Sequence, residues 1–273
     1  MRGILFRMAK KSLGQNFLKS TKAISDIVAA GKVFEKDTVL EIGPGKGALT
    51  EKILEAGAKV VAVEADGELI PILEEKFSVD IEKGKLELIH GDILETSAKD
   101  LKLKKYKIIA NIPYYITGAI IRKFLEENTQ PELMVLLVQK EVAERIVARD
   151  GKQSILSMSV QAYGQPKIIS KVAARYFSPA PKVDSAIILI DNISKKNFKN
   201  VSEKDFFDVI KTAFGQKRKT LMKNLSQNFK NKANLLEIFK NLGISDKARA
   251  EDLSLETMIG LAKALFPQKS GRN

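Results

Sequence analysis

Asn111-Ile112-Pro113-Tyr114 brings together residue types that can act on a poor nucleophile. An exocyclic amine on a heteroaromatic ring is weakly nucleophilic because its lone pair is delocalised into the ring. The Asn111 side-chain oxygen and the Ile112 carbonyl can each accept one N–H, drawing the nitrogen toward tetrahedral geometry and aiming its lone pair at an electrophile. Tyr114 offers a face for a base taken out of its stack, and its quadrupole favours the positive charge that develops. Asn is no strong base, and none is needed before transfer, because the amine proton becomes acidic afterwards. Asn-x-Pro is also ordinary turn chemistry, but here it closes an apolar run, Lys107-Ile108-Ile109-Ala110.

A second group binds rather than reacts. Glu41-Ile42-Gly43-Pro44-Gly45-Lys46-Gly47 joins an apolar run to an amphipathic one, and its glycines Gly43, Gly45 and Gly47 let a ligand approach the backbone near a helix N-terminus. The spacing is GxGxG, not the GxGxxG of dinucleotide sites, with Ala48 at the last fingerprint position. This disfavours a nicotinamide oxidoreductase. With an acid ahead of the first glycine, ExGxGxG is the form found in S-adenosylmethionine methyltransferases. Glu64 closes the next apolar run, 17 residues after Gly47, where a carboxylate can accept from two ribose hydroxyls. Asp92, closing a third run after Gly91, can accept from an adenine amine. One acid at a strand end is often a cap; two in order after this loop read as a nucleoside site.

These residues need strands to hold them. Thr38–Ile42, Lys59–Glu64, Leu86–His90, Lys107–Ala110, Leu133–Val138 and Ser185–Ile190 read as strands, with helices over Leu49–Ala56, Gly67–Phe77 and Thr117–Glu127 between them. The fold class is α/β, a mostly parallel Rossmann-like sheet with ligands beyond the carboxyl ends of its strands. After Asp191 the texture changes. Asn192–Asn200 is a polar, lysine-rich linker. Beyond it Phe206, Phe207, Ile210, Phe214, Leu235, Leu236, Phe239, Leu253, Met258, Ile259 and Leu261 follow helical spacing, with Ser202 and Asp205 as a capping box. The division is therefore a catalytic domain over residues 1–191 and a small all-helical domain of three to five helices over 192–273.

The 273 residues include one His and no Cys or Trp. That excludes disulfides, thiolate nucleophiles and cysteine metal sites, and no metal is expected. His90 in its apolar run reads as structural. No run approaches the length of a spanning helix and Ile4-Leu5-Phe6 is too short for a secretory core, so a cytoplasmic protein with no membrane partner is the expectation. Met8 is a second candidate start. The net charge of +13 is uneven: residues 1–23 hold six basic and no acidic residues, 24–191 hold 23 and 25, and 192–273 hold 17 and 8. A near-neutral body with basic ends suits a polyanion such as nucleic acid. Lys217, Arg218 and Lys219, with Lys211 and Lys223, form the densest candidate RNA contact, beside Gln216 and Thr220.

Together these motifs resemble the ribosomal RNA adenine N6,N6-dimethyltransferases, and within them the bacterial small-subunit branch. The resemblance runs from about Lys11 to the C-terminal helices. It includes Gly14–Leu18, Val39–Gly47, Glu64, Gly91-Asp92, Asn111–Tyr115, Gln139–Arg145, Phe177–Ser185 and Ala213–Leu221. It implies S-adenosylmethionine as cofactor, with Asn16 and Leu18 lining its pocket beside Gly43, Glu64, Asp92 and Asn111. It also implies Phe177 packing on the target adenine opposite Tyr114; read alone, Phe177 is equally a core residue. The implied substrate is a pair of adjacent adenosines near the 3′ end of 16S rRNA in a 30S precursor, with the protein a monomer. Gly118 and Ala119 are candidates for making room for a methylated amine. Gln153–Ser157 departs from the family pattern, which puts RNA contact there in question. The alternatives are a macrolide-resistance (Erm-type) enzyme acting on large-subunit RNA and an assembly factor with secondary catalysis.

Overall fold

The computed structural model describes residues 15–229 and 231–267. The basic segment Met1 to Lys11, with Met8, and Gly14 lie outside them. The chain divides into two compact units: residues up to Ala143 with Pro166–Ile193, and Glu144–Gln165 with the chain from Ser194 onward.

The first unit is built on a seven-stranded sheet. Its strands are β2 (Thr38–Ile42), β3 (Lys59–Glu64), β4 (Leu86–His90), β5 (Lys107–Asn111), β6 (Met134–Gln139), β7 (Gln165–Val172) and β9 (Ser185–Asp191), in the order β4-β3-β2-β5-β6-β9-β7. The pairs β3/β4, β2/β3, β2/β5 and β5/β6 are parallel, and β6/β9 is antiparallel. Two short strands, β1 (Phe17–Leu18) and β8 (Phe177–Ser178), pair separately, with Leu18 opposite Phe177. The helices of this unit are α1 (Thr21–Ala30), α2 (Ala48–Glu55), α3 (Ile70–Lys76), α4 (Ser78–Glu82) and α5 (Thr117–Glu126); α6 (Lys140–Ile146) leads the chain out of it. Central strands are apolar almost throughout, Val135-Leu136-Leu137-Val138 being fully buried, as expected where helices cover both faces.

Strand order reverses between β2 and β5, since the chain runs outward from β2 through β3 to β4 and then returns to β5. A crevice opens at such a switch point beyond the strand carboxyl ends. The glycine-rich turn after β2 and Asn111 at the end of β5 stand on either side of it. The expected strands are all present. The α3 helix starts three residues later than read, because Asp66 and Leu69 close a turn before Pro71 enters its first turn. The lysine-bearing strand β7 was not expected, since its exposed and half-exposed alternation carries little apolar signal.

In the second unit lie α7 (Ile155–Gln161), α8 (Glu203–Ala213), α9 (Leu221–Leu225), α10 (Lys232–Asn241) and α11 (Leu255–Leu265). The division expected at residue 191 differs from this partition, because residues 144–165 group with the helices. Tyr163 explains the difference: its ring lies 5.0 Å from Phe198 and 6.1 Å from Phe207, and its hydroxyl donates to Glu203 at 2.8 Å. The expected linker is ordered around this cluster, with Asn197 donating to the Ala162 carbonyl at 2.8 Å. Ser202 caps α8 by accepting from the Asp205 N–H, but the return arm of a capping box is replaced by a hydroxyl–carboxylate bond. Leu236, one of the apolar residues at helical spacing, is 45 % exposed. Gln153–Ser157 proves to be helix-start chemistry: Ser154 and Ser157 form the capping box of α7, and Gln153 accepts from Ser157.

Candidate active site

The cofactor side of the crevice is made by main-chain geometry. Gly43 and Gly47 have φ of 65° and 76°, left-handed values that cost other residues energy. A Cβ on Gly47 would stand 2.4 Å from the Phe77 ring, whereas one on Gly43 would meet nothing within 4 Å, so Gly43 leaves bare backbone facing open space. Gly45 donates its N–H to one Glu64 oxygen at 3.0 Å, and the Asp66 N–H binds the other at 2.9 Å. Glu64 is 5 % exposed, and burial raises its carboxyl above the ordinary value against the pull of backbone donors at Asp66, Gly45 and Ala65. The Ala65 N–H also acts on this carboxylate, whose remaining acceptor capacity suits a hydroxyl donor. Asp92, exposed at the end of the adjacent strand, uses Oδ1 to accept from the Leu94 N–H at 2.8 Å. Glu41 lies beneath the loop, 1 % exposed, where burial and the neighbouring Glu64 push it up to about 8.

The base side is made by side-chain tethers. Asn111 donates from Nδ2 to the Asn16 carbonyl at 3.1 Å. The opposite amide orientation would set two acceptors together, so this bond leaves Oδ1 as the acceptor available to a ligand. Ile112 is buried, and the nearby Ile116 N–H is taken by the Pro113 carbonyl rather than by that of Ile112. The Tyr114 hydroxyl lies 2.6 Å from Ser185 Oγ, and burial raises its phenol, which stays neutral. Gly118 and Ala119 are exposed on the first turn of α5, and a Cβ on Gly118 would meet nothing within 4 Å.

One tetrapeptide touches both sides. Gln15 donates to Asp66 at 2.9 Å, and Asn16 supplies the carbonyl to Asn111. Phe17 packs on Gly45 with the Lys46 ammonium 4.9 Å above its ring, and Leu18 pairs with Phe177. Asn16 and Leu18 were expected at the cofactor pocket; Gln15, Asp66 and Ser185 had no expected role. Gln15 and Ser185 lie in blocks that carry the family resemblance, and Asp66 stands two residues after Glu64, which were the only signals for them.

Two expectations change. Phe177 is 2 % exposed and belongs to the apolar core with Leu18, Ala23 and Ile24, so its ring is covered rather than offered to a base. His90, read within an apolar run, is exposed at the rim, in register with Glu64 and with its ring against Gly67. In the helical unit, Lys211, Lys217, Arg218, Lys219 and Lys223 are all exposed. Thr220 caps α9, and the Gln216 carbonyl accepts from buried Asn224, so these two polar groups hold the turn that displays the cations. Among the described residues no group of His, Asp and Glu could hold a metal ion, and no helix is long and apolar enough to cross a membrane.

Comparison with known proteins decides the family. The ribosomal RNA adenine dimethylase family matches residues 7–266. The chain belongs to that family. Among dimethylase relatives, it is similar to the ribosomal RNA small subunit methyltransferase A of Dehalococcoides mccartyi strain CBDB1, 45 % identical over 91 % of this chain and 85 % of that one. The protein of that name from Clostridium botulinum strain Kyoto is 39 % identical over 94 % of both chains. Among solved structures, a dimethyladenosine transferase from Plasmodium falciparum superposes with TM-score 0.75 at 28 % identity, covering 90 % of this chain and 95 % of that one. The 23S rRNA methyltransferase ErmE shares the fold, with TM-score 0.74 at 24 % identity over 92 % and 99 % of the two chains.

Proposed function

We propose that this dimethylase uses S-adenosylmethionine to place two methyl groups on the N6 amine of each of two adjacent adenosines near the 3′ end of 16S rRNA, acting on small-subunit precursors in the cytoplasm. The observation that carries this reading is the Asn111 amide, locked by the Asn16 carbonyl with its oxygen presented at the switch-point crevice. The residues on the other side fit the cofactor: a bare Gly43 backbone, the Glu64 carboxylate at the end of its strand, and Asp92 one strand further out.

S-adenosylmethionine, when bound, would supply an electrophilic methyl group on a sulfonium, whose S–CH3 bond breaks as the methyl is transferred and whose sulfur leaves as a neutral thioether. The chain's own part is to prepare the amine. Asn111 Oδ1 and the Ile112 carbonyl each accept one N–H, so the nitrogen lone pair leaves conjugation with the ring. Tyr114 holds the base by stacking and favours the cationic nitrogen that forms as the new N–C bond is made. That nitrogen then loses a proton to water, which restores a neutral amine. Before the second transfer only one N–H remains, and the open space beside Gly118 is available to the first methyl. Lys211, Lys217, Arg218, Lys219 and Lys223 would hold RNA phosphates.

The test is transfer of labelled methyl to 30S particles lacking the modification, with 50S particles and naked rRNA alongside and digestion to nucleosides. Label in N6,N6-dimethyladenosine from 30S RNA is expected. Label in 50S RNA instead would move the protein to the Erm-type reaction. Tight 30S binding without label would leave an assembly factor.

A further inference from the structure

We infer that the catalytic unit carries its own RNA-binding edge, Lys167 to Lys182, which holds the single strand flanking the target adenosine; this rests on the function proposed above. Residues 165–183 contain Lys167, Lys171, Arg175 and Lys182 and no acid. Lys167, Ile169 and Lys171 alternate as the exposed side of β7, an edge strand of the sheet. Positions four apart on a strand are about 13 Å apart on one face, a span that reaches alternate phosphates of an extended strand. Among the described residues no carboxylate forms an ion pair with Lys167, Lys171 or Lys182, so their charge is available to a polyanion. Arg175 lies 5.2 Å over the ring of Tyr176, which is 40 % exposed, pairing a cation with a stacking face as single-strand sites do.

The placement is as informative as the charge. Tyr176 receives the Lys19 N–H on its carbonyl at 2.8 Å and precedes Phe177, the partner of Leu18. Two residues before Leu18 is Asn16, the residue that orients Asn111. At its other end the segment runs into Asp184, which accepts from the Ala174 N–H, and then Ser185, which holds Tyr114. The segment is thus tethered to both catalytic side chains. The opposite edge of the sheet has the reverse character: residues 68–95, around β4, hold eight acidic and three basic residues. A polyanion is steered toward one edge of this unit and away from the other.

The experiment uses the full chain, a naked RNA of the 3′ end of 16S rRNA, and unmethylated 30S particles. In Lys167→Gln/Lys171→Gln, RNA affinity falls and the slope of log K against log salt shrinks by about 1.4, at ~0.7 per single-strand phosphate contact, with S-adenosylmethionine affinity unchanged. Lys83→Gln/Lys99→Gln, the same charge change near the acidic edge, leaves the slope unaltered. Tyr176→Ala weakens binding several-fold and Tyr176→Phe does not. An unchanged slope, or an equal change in the Lys83/Lys99 control, overturns the assignment. So does weakening on 30S particles with none on naked RNA, which would mark a protein contact. Failure of the underlying function would appear separately, as absence of dimethyladenosine with the unaltered chain.

Discussion

The two sides of the crevice are held in different ways. On the cofactor side Glu64 is fixed by backbone donors 19 and 2 residues away, within one strand–helix–strand unit. On the base side Asn111 is held from 95 residues away and Tyr114 from 71. Main-chain donors are set as soon as the local unit forms, whereas the long-range tethers exist only after β1, β5 and β9 have all docked. The Glu64 carboxylate is therefore set by local construction, whereas Asn111 and Tyr114 depend on the completed fold.

That contrast can be broken most forcefully at Asn111. Asn111→Ala is expected to lower kcat by about 10²–10³-fold, as for loss of one preorganised polar group, while 30S binding persists; equal loss of particle binding would merge the two halves. On the other side, Glu64→Gln is expected to weaken cofactor binding by ~10–100-fold, as for a hydrogen bond to a charged group. Calorimetry measures that affinity, and kcat at saturating cofactor should stay within a few-fold.

Stability against pH examines the ground beneath the glycine loop. Folded Glu41 titrates at about 8 against an ordinary 4.5, so between these values the native state keeps a proton that the unfolded chain has released. Stability therefore falls as pH rises through this window, by about 1.4 kcal/mol per unit. Urea unfolding at several pH values should show that slope reduced in Glu41→Gln; an unchanged slope would place its origin elsewhere.

The smallest effects are expected at the Tyr114 tether. Ser185→Ala and Tyr114→Phe each remove the same hydrogen bond, worth about 1 kcal/mol, so each should lower kcat about five-fold. The double variant should be no worse than either, and Ser185→Thr should recover activity. Multiplying effects would show that Ser185 acts through something other than the ring.

The same contrast governs what could be read from the chain alone. Glycines, strand-end acids and the Asn-x-Pro-Tyr motif each sit at the end of an apolar run, so the sheet, the crevice and the binding half were legible. The tethers were not. Nothing in local pattern pairs Gln15 with Asp66 or Ser185 with Tyr114, and an aromatic such as Phe177 looks the same in sequence whether it meets a ligand or fills the core. The grouping of residues 144–165 with the helices was missed for a related reason, because Tyr163 joins its aromatic partners across a returning strand.

The tetrapeptide Gln15–Leu18 makes the enzyme's two tasks inseparable by surgery. Trimming the chain to residue 18 would take away the partner of Asp66, the cover over Gly45 and the carbonyl that turns Asn111, all in a single cut. A shortened protein would thus become blind to its methyl donor and indifferent to its base at the same moment, and no fragment could be expected to retain one skill while losing the other.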